Sequence, residues 1–93
     1  MTIIQVKSIV WNEKNREHIK KHNLEAGEVE EAITHIKAYR KGYKGRIILI
    51  GKTGKRLVSV VVAKERLRRY YVVTARDADR KERKLVYEKE KSK

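Results

Sequence analysis

Three β-branched apolar segments follow one another in the second half of the chain with almost nothing between them. Arg46 to Gly51 is apolar on both faces, Arg56 to Lys64 is mostly valine, and Leu67 to Ala75 is a third long strand. The links are Lys52 to Lys55, which contains Gly54, and the pair Glu65-Arg66. Links this short admit hairpins and exclude crossovers, so the sequence predicts an antiparallel meander. Tyr39 to Tyr43 reads as an edge strand ahead of it, with Arg40 and Lys41 discouraging further pairing.

Helices flank the meander. Ile3 to Trp11 reads as a short strand, and Asn12 then caps a helix from Glu13 to His22. Its face of Asn15, His18, Ile19 and His22 has helical spacing but one apolar residue, which predicts a weakly anchored, exposed helix ended by Asn23. A second helix, about Glu25 to Lys37, carries an apolar stripe of Val29, Ala32, Ile33 and Ile36. The last helix, Arg80 to about Lys91, follows the third strand directly and leaves Ser92 and Lys93 to fray. This order predicts an α+β fold: two N-terminal helices and a C-terminal helix around a twisted antiparallel sheet, with the helices on one face. The 93 residues suffice for one domain spanning 1–93.

Charge narrows the function. Twenty-five basic residues face twelve acidic ones, for a net charge of +13. Enrichment in both Lys and Glu would mark a solvated surface, but it leaves the sign bias unexplained. The excess favours a polyanion, with nucleic acid ahead of an anionic membrane. There is no cysteine, so disulfides and thiolate metal sites are excluded. Met1 to Val10 lacks the apolar core of a signal peptide, and the apolar runs are far shorter than a membrane span. The expectation is a soluble, cytoplasmic protein with no membrane partner.

Three arginines crowd the point where the third strand meets the last helix. Arg76, Arg80 and Arg83 fall within eight residues. Asp79 and Glu82 form a capping-box pattern, and Arg80, Arg83 and Tyr87 share one helix face. Guanidiniums match phosphate oxygens and keep their charge, and a helix N-terminus favours anions. The bland alternative is a solvated basic helix tied by local ion pairs. RNA cleavage suits such a site, because the 2′-hydroxyl attacks the neighbouring phosphate and the protein need only orient it, stabilise charge and move two protons. Arginine cannot serve as a base, so Glu82, Tyr87, a lysine or a histidine such as His22 must. Glu82 is compromised if it caps its own helix.

Other motifs carry less. His18 and His22 are four apart, but Lys20 and Lys21 lie between them and no third ligand accompanies them, so no metal or other cofactor is expected. Gly51-Lys52-Thr53 resembles the tail of a nucleotide loop, but no helix follows, and the segment reads as a hairpin turn. Tyr70 and Tyr71 point to opposite faces of one strand, and the exposed one could stack on a base. Arg68, Arg69, Tyr70 and Lys81 are assigned to RNA contact.

Taken in order, Trp11-Asn12, Lys14-Asn15, Lys21-His22-Asn23-Leu24, Glu30-Glu31-Ala32, Gly51, Thr74-Ala75-Arg76 and Asp79-Arg80-Lys81-Glu82-Arg83 with Tyr87 resemble the BrnT family of type II toxins. The resemblance covers about residues 9–90. Asn12, Asn23 and Asp79 stand where the family carries Asp, Gly and a small hydroxyl residue. The resemblance implies a RelE-like ribonuclease fold, RNA as substrate, a DNA-binding antitoxin of the BrnA kind and, by analogy, a homodimer bridged by antitoxin. It places functional residues at Arg76, Arg80 and Arg83 and brings in His22. The competing expectation is a non-catalytic basic module that binds RNA or an antitoxin.

Overall fold

The computed structural model describes Val6, residues 8–66 and residues 68–91. Ile3 to Gln5 and Lys7 of the expected first strand, Leu67 of the third long strand, and Ser92 and Lys93 lie outside the described residues. The chain forms β1 (Ser8–Val10), α1 (Glu13–Lys20), α2 (Ala26–Thr34), β2 (Ile36–Lys41), β3 (Ile47–Thr53), β4 (Arg56–Arg66), β5 (Arg69–Asp77) and α3 (Arg80–Lys91). The class is α+β; among the described residues three α-helices pack on one five-stranded sheet ordered β1-β5-β4-β3-β2.

The meander forms as expected, since β2, β3, β4 and β5 pair antiparallel in succession. The sheet as a whole is nevertheless mixed. β1 lies parallel to β5, with Ser8 opposite Arg69 and Val10 opposite Tyr71. That contact joins residues 61 positions apart, so short-link reasoning does not reach it.

The helices occupy both faces, a second correction. Ile19, Leu24, Val29, Ala32 and Ile33 of the α1–α2 region pack with Leu49, Val58, Val60, Val62, Tyr70 and Val72. On the other face Val86 of α3 packs with Ala38, Ile48 and Ile50. The apolar alternation of β3 already allows this: Leu49 faces one layer while Ile48 and Ile50 face the other. α1 is held by buried Asn15 as well as Ile19; Asn15 completes the Asn12 cap and donates to the Val10 carbonyl at 2.8 Å. Asn23 takes the expected left-handed conformation at φ 57°.

Several boundaries move, among them the end of α1, at Lys20 rather than His22. α2 ends at Thr34 rather than Lys37, and the edge strand begins at Ile36, opposite Gly51. Ile36 serves the α1–α2 core from a strand as well as it would from a helix, so its apolar character does not decide between them. Tyr43 falls in a tight turn beyond β2 rather than at a strand end. β4 continues through Glu65 and Arg66, and the turn to β5 includes Arg68 at φ 64°.

Gly51 fixes the separation of α2 and β3. A Cβ there would lie 1.8 Å from the Ala32 carbonyl oxygen, so only glycine permits this approach.

Candidate nucleic-acid interface

The strand-to-helix corner owes its geometry to one extra residue. Val61 opposes Thr74 while Val62 opposes Val72, so Val73 is a bulge. Before it, Tyr70 and Val72 face the α1–α2 core; after it, Ala75 does. Arg76 is thereby turned to the α3 face, opposite Ser59. The Ala78 N–H then donates to the Leu57 carbonyl at 3.0 Å and anchors the turn into α3.

The capping box is present, and its glutamate does more than cap. The Glu82 N–H donates to Asp79 Oδ1 at 2.8 Å, and the Asp79 N–H returns to Glu82 Oε1 at 2.9 Å. Glu82 is fully buried and also accepts from Ser59 Oγ at 2.8 Å, from both terminal nitrogens of Arg76 at 2.7 and 3.0 Å, and from Arg40 at 3.3 Å. Burial pushes its pKa up, but the bonds from Arg76, the Asp79 amide and Ser59 outweigh that and hold it at about 2. Glu82 is therefore a fixed anion at neutral pH, with its lone pairs occupied. This corrects its candidacy for proton transfer. Arg76 is correspondingly clamped, with about a third of its side chain exposed (31%).

Beside this corner lies a cleft of about 650 Å3, lined by Lys52, Lys55, Arg56 and Leu57 on the β3–β4 hairpin and by Arg83, Val86, Tyr87 and Glu90 on α3. Both walls are braced. Glu31 of α2 accepts from Thr53 Oγ1 at 2.8 Å and from the Gly54 N–H at 2.9 Å; these two bonds hold its carboxylate below the ordinary range. Across the cleft, Arg83 Nε donates to the Ala78 carbonyl at 3.0 Å, which orients its guanidinium.

Arg56 closes the inner end. Its Nε bonds Asp77 at 2.6 Å, and its terminal nitrogens reach the Asn23 and His22 carbonyls at 2.7 and 2.8 Å. The Arg56 bond is the main cause of a lowered Asp77 pKa, with the charges of Arg56, Arg83 and His22 adding to it. Asp77 thus sits among three basic side chains. Among the described residues, Lys52 and Lys55 make no ion pair, so their ammonium groups stand available to an anion.

The expected site residues divide three ways. Arg83 and Tyr87 line the cleft, and His22 lies within electrostatic reach of its inner end. Arg76 and Glu82 are locked together next to it, while Arg80 and Lys81 are exposed on the first turn of α3. Arg68 and Arg69 lie at the other end of β5, about 25 Å along the strand. Arg69 there faces Glu65 at 3.7 Å. Tyr70 is 6% exposed inside the α1–α2 core, which corrects its assignment to RNA contact: the strand register turns it inward and leaves Tyr71 half-buried on the other face.

Lys52, Lys55, Arg56 and Glu90 are residues that sequence reasoning missed. The signal was the run Lys52-Thr53-Gly54-Lys55-Arg56, in which a hairpin turn is also a basic finger.

Among the described residues no helix is long and apolar enough to cross a membrane. No protein-family model matches the chain, and no curated protein is significantly similar to it.

Proposed function

We propose that the cleft binds RNA and cleaves it without a metal, and that the chain acts in the cytoplasm as a ribonuclease toxin of the BrnT, RelE-like kind, neutralised by a DNA-binding antitoxin. The observation that carries this reading is the apposition of Lys52 and Lys55 on one wall with Arg83 and Tyr87 on the other. Cations on two rigid walls suit a single-stranded phosphodiester backbone, which presents one charge per nucleotide.

In the proposed reaction the ribose 2′-oxygen forms a bond to phosphorus and the bond to the 5′-oxygen breaks. A base takes the 2′ proton, and an acid supplies one to the leaving 5′-oxygen. Arg83, Lys52 and Lys55 stabilise the extra negative charge. In this reading Tyr87 and Glu90 in the cleft and His22 beside it share the two proton transfers, and Arg80 extends the positive field next to the Arg76–Glu82 pair. Glu82 acts by holding Arg76.

The Arg76–Glu82 clamp favours a second reading, in which the same surface binds RNA or an antitoxin without cleaving. Incubating purified protein with total RNA in EDTA separates the two. Cleavage that disappears in Arg83→Ala supports the toxin reading; intact RNA at micromolar protein, with tight binding retained, supports the second.

A further inference from the structure

A second aromatic stands at the opposite end of β3, outside the cleft. Tyr43 is 88% exposed, the most exposed large apolar side chain among the described residues. It sits in a rigid turn rather than a loose loop. The Arg46 N–H donates to the Tyr43 carbonyl at 3.0 Å, and the Gly42 N–H donates to the Arg46 carbonyl at 2.8 Å. Lys44 at φ 54° and Gly45 at φ 75° complete a hairpin turn of the type that needs two left-handed residues. Lysine pays a steric penalty for that conformation, so the turn keeps a charge where glycine or asparagine would fit more easily.

The surroundings are uniformly basic. A hollow of about 400 Å3 is lined by Arg40, Lys41, Gly42, Tyr43 and Ile48. Between Glu31 and Glu65 the chain has nine Lys or Arg and no Asp or Glu, and the β2–β3 and β3–β4 hairpin tips belong to that stretch. Arg40 also bonds Glu82, which links this hollow to the Arg76 corner. An exposed aromatic ring beside a hollow lined by Arg40, Lys41 and Ile48 fits an unpaired base with its flanking phosphates.

We propose that Tyr43 is a stacking platform for an unpaired nucleobase of single-stranded RNA, with Arg40 and Lys41 on the adjoining phosphates. The proposal rests on the RNA reading above and locates a second contact on the same strand, about 20 Å along β3 from the cleft. Such a platform selects unpaired RNA, because a base inside a duplex cannot reach the ring.

Fluorescence anisotropy of the full chain with a labelled single-stranded RNA dodecamer and its blunt duplex tests it. Tyr43→Ala is expected to weaken single-strand binding about tenfold and to leave duplex binding within about twofold. Tyr43→Trp is expected to retain the affinity. The side chain is exposed, so Tyr43→Ala should melt with the wild type, and the comparison is made on folded protein. Unchanged single-strand affinity in Tyr43→Ala, while Arg83→Ala binds weakly, overturns the platform and leaves the proposed function standing. Equal weakening toward single strand and duplex overturns it too, since stacking distinguishes them. If the wild type binds neither RNA, the RNA reading fails and the platform fails with it.

Discussion

Replacing Glu82 by glutamine tests the corner by removing one charge and keeping the shape. Glu82 is buried, accepts from Ser59, Arg76, Arg40 and the Asp79 amide, and its pKa falls from 4.5 to about 2. At about 1.4 kcal/mol for each tenfold change in proton affinity, that descent is worth about 3 kcal/mol. The folded-state value lies below the unfolded one. The contribution is therefore complete above about pH 4.5 and is lost as pH falls through about 2. In a domain of this size 3 kcal/mol corresponds to roughly 15 °C in Tm. Thermal melts of wild type and Glu82→Gln followed by circular dichroism should differ by about that much at pH 7 and converge toward pH 2. A difference under about 3 °C at pH 7, or one that stays constant between pH 5 and pH 2, refutes the hub.

Other sites give independent outcomes. Gly51→Ala drives a methyl group into the Ala32 carbonyl and should cost about 3 kcal/mol or more, read as loss of the cooperative melt. Lys44→Gly relieves a left-handed lysine and should raise stability by up to about 1 kcal/mol in urea unfolding. Arg56→Ala frees Asp77 and the end of α1 and should cost about 2 kcal/mol in the same assay, with faster amide exchange at Asn23.

What the sequence makes legible is local. The Asn12 and Asp79 caps, the β3–β4–β5 meander and the basic corner follow from spacing within a few residues. What it hides depends on distant partners. Glu82 has the helix spacing of a solvated capping residue, and only the bulge at Val73, which turns Arg76 toward it, together with Ser59 and Arg40, makes it a buried hub. Tyr70 and Tyr71 alternate in sequence, but the packing of α1 and α2 decides which one is inside. The cleft is equally nonlocal, since its two walls come from a hairpin and a helix some thirty residues apart. The fold beyond class α+β, and the parallel β1–β5 pair in particular, waits on contacts that periodicity does not encode.

The central claim is that the Lys52, Lys55, Arg83 and Tyr87 cleft cleaves RNA through its own 2′-hydroxyl. The most direct measurement is end-group analysis of a defined RNA treated with the protein in EDTA. The account predicts fragments ending in a 2′,3′-cyclic phosphate with 5′-hydroxyl partners, absent with Arg83→Ala. Intact RNA, or fragments bearing 5′-phosphates, would contradict it.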